Sequence, residues 1–108
     1  MLTREIAINT ANRFISDLKT MGYNPSQAYL FGSVVNNKTH EYSDIDLAVW
    51  DKNFSGVMHE DVERLKYLLR RYRTIELHSF TEDTNEENNP FVEIIKQTGL
   101  RLSTKNVS

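Results

Sequence analysis

The sequence predicts an α/β (α+β) protein: a small mixed β-sheet with helices packed on one face. Three observations predict it. Short segments over Gln27–Phe31, 44–50 and 74–80 carry the two-residue period of half-buried strands. Longer segments over 4–21, 58–72 and from Pro90 onward carry helical period. Turn clusters separate them, and the order helix, strand, strand, helix, strand, helix fits one layered sheet better than a bundle or a sandwich.

Each element has a local reason. In the first helix Ala7, Ala11, Phe14, Ile15, Leu18 and Met21 recur at three- and four-residue spacing. Thr3 suits the N-cap and Gly22 the stop. Tyr23-Asn24-Pro25-Ser26 is a turn cluster leading into the strand at Gln27–Phe31. In the second strand Ile45, Leu47 and Val49 share one face, and Asp44, Asp46 and Ala48 the other. Residues 51–56 form a loop. The second helix has the stripe Val62, Leu65, Leu68, Leu69 and Tyr72. In the third strand Ile75 and Leu77 oppose Glu76 and His78. Asn89-Pro90 reads as an N-cap followed by proline at the first helical position. Phe91, Ile94 and Ile95 are the expected buried stripe of the third helix, which Gly99 stops. Residues 100–102 suit a last edge strand, and 103–108 a frayed tail. Helices on one face leave the other to the acids, as a half-open sheet.

The chain has 108 residues, so one domain spanning 1–108 is expected. Hydrophobic residues make up 39%, enough for a core and too many for disorder. The net charge of −2 gives no reason to expect a general nucleic-acid binder. The absence of cysteine excludes disulfides and thiolate metal sites. No stretch approaches the ~18 apolar residues of a membrane span, and the N-terminus does not lead into an apolar signal core. A soluble cytoplasmic protein is expected.

The chemistry is concentrated between residues 28 and 50. A Gly32-Ser33 turn closes the first strand, and ten residues later comes Asp44-Ile45-Asp46. Glycine lets a backbone approach a phosphate closely, and the amides of such a turn can cradle an anion. Gly-Ser alone equally suits an ordinary turn. Asp44 and Asp46, two apart on a strand, project together with backbones about 7 Å apart. Carboxylates held this close repel unless a cation or proton lies between them, and hard divalent cations prefer such oxygens. The plain alternative is a solvated strand face. Glu76 is the third acid by the same parity, with pairing to Arg73 as its alternative. Asp51 sits too near its strand end to be preferred.

Other features carry less. Lys66, Arg70, Arg71 and Arg73 suit a solvated, dipole-complementing helix end, and alternatively a contact with RNA or a triphosphate. His40, His59 and His78 lack ligand spacing. Glu82, Asp83, Glu86 and Glu87 suit a solvated loop, with a mobile lid as the alternative.

Gly32-Ser33-x10-Asp44-x-Asp46 resembles the signature of the polymerase-beta-type nucleotidyltransferase superfamily, and within it the minimal nucleotidyltransferase (MNT) group. The segments 40–49 and 89–99, and the run Ile75-Glu76-Leu77-His78-Ser79-Phe80, are similar to that group. The resemblance implies a nucleotidyltransferase fold in which Gly32 and Ser33 bind the phosphates of ATP. It implies that Asp44 and Asp46 hold two Mg²⁺ ions, with Glu76 in the third carboxylate position. Many relatives have aspartate there. Relatives also often carry a glycine and a basic residue after the serine, for which Asn37 and Lys38 would stand in.

The implied reaction is attack of an acceptor hydroxyl on the α-phosphate of an NTP, with pyrophosphate leaving. The resemblance further implies an MNT/HEPN toxin–antitoxin pair, in which AMP passes to a tyrosine of a helical HEPN-type partner. Two alternatives stand beside it: a nucleotidyltransferase acting on a small molecule, and a non-catalytic antitoxin module that neutralises its partner by contact. The sequence leaves the acceptor, the base preference and the oligomeric state open.

Overall fold

The computed structural model describes residues 2–36 and 44–105. Helix α1, Arg4–Thr20, begins where expected: Thr3 is extended, and its hydroxyl accepts the amide of Ile6 at 3.1 Å. Its end is a Schellman motif. The amide of Tyr23 reaches the carbonyl of Leu18, and that of Gly22 reaches Lys19, both at 3.1 Å. This geometry needs the positive φ of 98° that Gly22 adopts. Ala7, Ala11, Phe14, Ile15 and Leu18 are buried. Met21, expected in the same stripe, is the C-cap and stays exposed, because the helix ends before carrying it to the core.

The strands are β1 (Gln27–Phe31), β2 (Ile45–Trp50), β3 (Ile75–Phe80) and β4 (Leu100–Leu102). They form one mixed sheet in the order β3-β2-β1-β4. β1 is antiparallel to β2 and β4, whereas β2 and β3 are parallel. A parallel pair needs a long crossover, here supplied by helices α2 (Met58–Arg64) and α3 (Lys66–Arg71).

The single helix expected over 58–72 is therefore two. Leu65, at φ −103° and ψ 12°, breaks the helical run while remaining fully buried. Asp61 ties α2 to the preceding loop, and Leu65 with Leu68 ties the following turn to the core. The break lets both attachments hold.

The core has two layers. On one sheet face Leu30, Ile45, Leu47, Val49, Ile75 and Leu77 pack against the α1 stripe, Leu65 and Leu68. On the other, Tyr29, Phe31, Ala48, Trp50 and Phe80 pack with Val92 and Ile95 of helix α4, Pro90–Thr98. Helices on one face thus describes α1, α2 and α3, while α4 occupies the second face.

α4 starts at the predicted Asn89 cap, whose side chain accepts the amide of Phe91 at 3.1 Å, with Pro90 next. Its buried stripe is Val92 and Ile95; Ile94 is 57% exposed and Phe91 38%. The stripe shifts because Trp50 and Phe80 stack on this sheet face, with centroids 4.8 Å apart, and form the surface that α4 meets. The mixed α/β class and all four strands agree with the sequence. Of the expected frayed tail, residues 106–108 lie outside the described residues, as do Asn37, Lys38 and His40.

Candidate active site

The site lies where β1 ends and β2 and β3 begin. Antiparallel pairing sets Phe31 opposite Asp46, and parallel pairing sets Asp46 beside Glu76. Cross-strand partners share a face, so Phe31, Asp46 and Glu76 lie on the α4 side of the sheet. Val92 and Ile95 cover its Trp50 and Phe80 end. Glu76 remains exposed and Asp46 partly so.

Gly32 turns the chain immediately after Phe31, opening a short 3-10 turn over Gly32–Val34. Its φ is 77°, and a Cβ there would overlap the Oδ2 atom of Asp46. The turn and the aspartate pair, two separate signals in the sequence, are thus adjoining parts of one surface. Ser33 follows within the turn and is partly exposed. The amides of Val35 and Asn36 close back onto the Gly32 carbonyl at 3.1 and 3.2 Å.

Among the described residues, one oxygen each from Asp46 and Glu76 and one ring nitrogen of His78 lie within 4.8 Å of one another. His78 Nε2 is 3.4 Å from Asp46 Oδ1. Asp44 is exposed, just ahead of β2, and lies outside that group of three. A hydrogen bond shared with Asp46 holds the Glu76 carboxyl above its usual range. Partial burial and the Asp46 charge push the same way, the His78 ring opposes, and the Asp44 charge adds a smaller push upward. Without a cation, the neighbouring Asp46 therefore favours the protonated form of Glu76. The donor set of two carboxylates and an imidazole fits a divalent ion, and the space over Gly32 keeps the Asp46 oxygen clear.

His78 touches the site, the alternative to a structural role that its shared face with Glu76 left open. Strand parity placed it on the Glu76 face, but the lack of ligand spacing argued for a structural role. Its ring also lies edge-on to Phe31, with centroids 4.9 Å apart, and 6.1 Å from Phe91. Asp51 is fully buried and accepts the amides of Asn24 and Asn53 at 2.7 and 2.8 Å, so it holds the β2 loop rather than the cleft.

Asp61, which the sequence did not single out, is likewise a brace. It accepts from the Ser55 and Gly56 amides and from the Ser79 hydroxyl. A carboxylate one turn into a helix has no sequence signature distinguishing this role from solvent exposure.

Comparison with known proteins supplies the family and the fold. The family model described as "Polymerase beta, Nucleotidyltransferase" matches residues 14–107. A crystal structure from Sulfolobus solfataricus, described as a "putative nucleotidyltransferase", shares the fold with a TM-score of 0.59 at 17% identity. The match covers 91% of this chain and 80% of that one. A search of curated proteins finds no match. With the family model spanning both the Gly32 turn and the acid pair, the chain belongs to the polymerase beta nucleotidyltransferase family.

Proposed function

We propose that the protein is an Mg²⁺-dependent nucleotidyltransferase that moves AMP from ATP to a hydroxyl. The proposed acceptor is a tyrosine of a helical HEPN-type toxin partner, which gives this cytoplasmic chain an antitoxin role. The observation that carries the reading is the junction of Gly32, Asp46 and Glu76 at one partly open end of the sheet.

In this reading Asp44, Asp46 and Glu76 are the catalytic and metal-holding residues. These residues would hold Mg²⁺, which would supply charge neutralisation for the triphosphate and a lowered pKa for the acceptor hydroxyl. Gly32 leaves room for the Asp46 carboxylate, and Ser33 with the turn amides orients the β- and γ-phosphates. Glu76 takes the acceptor proton as the new bond to the α-phosphorus forms and pyrophosphate departs. Proton acceptance suits a carboxyl whose hold on a proton the adjacent Asp46 raises. His78, with Nε2 3.4 Å from Asp46 Oδ1, has a positioning role toward that carboxylate.

Crystals soaked with Mn²⁺ and a non-hydrolysable ATP analogue test this directly. The expected result is anomalous density between Asp46 and Glu76, with the triphosphate along Gly32-Ser33. Anomalous density absent from the acids, with no triphosphate along Gly32-Ser33, overturns the reading.

A further inference from the structure

The basic run at the end of the second predicted helix divides in the structure. Lys66 pairs with Glu63 at 2.9 Å, and Arg70 lies over the Tyr67 ring, 5.3 Å from its centroid. Arg71 and Arg73 instead line an open cavity of about 580 Å³, and Arg13 joins them from α1. Among the described residues, no acidic residue lines this cavity. Among the described residues, none of the three guanidiniums forms an ion pair. Tyr72, also on the wall, directs its hydroxyl to Asp17 at 2.6 Å.

Three like charges around one cavity repel one another; Asp17 beside Tyr72 offsets part of that charge, and a bound anion relieves the rest. Guanidiniums are the side chains best shaped for phosphate oxygens, which they hold through paired hydrogen bonds. The rest of the lining includes Leu2 and Ile6, an apolar surface that bare phosphate would leave unused. The volume lies within the roughly 300–1,000 Å³ of small-molecule sites. Ile45, at the cavity wall, packs into the α1-side core, whereas its neighbour Asp46 lies on the α4 side. The sheet therefore separates the cavity from Asp46 and Glu76.

We propose that this cavity is a second binding site, for a phosphomonoester of nucleotide size. The proposal stands on the arginines and the cavity alone, independently of the reaction assigned to the acid cleft.

The test is titration of the full chain in EDTA with 5′-AMP and, separately, with inorganic phosphate, followed by backbone amide NMR shifts. The expected shifts fall at Thr10, Arg13 and residues 71–74. AMP should bind about fivefold or more tighter than phosphate, because the apolar wall contributes. The Arg13→Ala/Arg71→Ala variant should weaken AMP by about tenfold or more, since both are exposed and their loss leaves the core intact. Asp46→Asn should bind AMP as wild type does. Shifts centred on Asp46 and Glu76, unchanged affinity in the double variant, or no saturation at millimolar AMP would overturn the site. Phosphate binding as tightly as AMP would overturn the nucleotide-sized ligand.

Discussion

Gly32 and Asp46 are complementary in shape: the side chain that Gly32 lacks is the space that the Asp46 carboxylate occupies. Gly32→Ala faces two costs, a left-handed φ of 77° and overlap with Oδ2. Together they should cost about 1–3 kcal/mol of stability. The variant should also lose Mg²⁺ affinity, because the carboxylate must move. Urea melts and Mn²⁺ titration measure the two effects separately.

Asp46→Asn should have the opposite stability profile. Without metal it removes a like charge from beside Glu76, so apo stability should be unchanged or higher. The gain in melting temperature given by Mg²⁺ and ATP should vanish, since that gain is ligand linkage. Thermal melts with and without Mg²⁺ and ATP check both. A large apo loss would show that Asp46 is a structural hydrogen-bonding residue.

Glu76 gives a pH dependence whose sign is fixed by its raised carboxyl. The metal-free folded state binds more protons than the unfolded chain above the ordinary glutamate value of about 4.3. The stability this group contributes is complete below that value and is lost as pH rises through the folded pKa. Glu76→Gln should therefore gain on wild type as pH rises from 4 to 7 in EDTA, by denaturant melts at each pH. Saturating Mg²⁺ should reverse the order at pH 7, because a cation favours both ionised carboxylates.

Asp61→Ala should be the most damaging of these substitutions, although it lies outside the cleft. It strands the Ser55 and Gly56 amides and the buried Ser79 hydroxyl. Three donors left unpaired should cost about 3 kcal/mol or more, read from urea melts. Asp61→Asn should recover part of this loss, since its amide oxygen still accepts.

The sequence revealed the fold where local chemistry and long-range packing agreed. Thr3, Gly22, Asn89 and Pro90 mark their helix ends through backbone geometry that depends on a few neighbouring residues. The strand faces followed from alternation, so Ile45 and Leu77 could be placed opposite Asp46 and Glu76 before pairing was known. The stripe of α4 was misread because Phe91, Val92, Ile94 and Ile95 are all apolar. Only the Trp50 and Phe80 surface decides which of them are buried. The break at Leu65 escaped for a related reason: no glycine or proline marks it. The nearness of His78 to Asp46 depends on the β2–β3 register, which strand parity alone does not fix.

The central claim is nucleotidyl transfer by this acid cleft, and intact-mass spectrometry of a co-expressed HEPN-type partner tests it most directly. With Mg²⁺ and ATP, the partner should gain one or more AMP adducts on tyrosine. Asp44→Ala or Asp46→Ala should abolish them, and Ser33→Ala should only slow them, because the turn amides remain. No adduct with wild type, together with partner neutralisation that survives both aspartate substitutions, would contradict the account and leave a module that acts by binding alone.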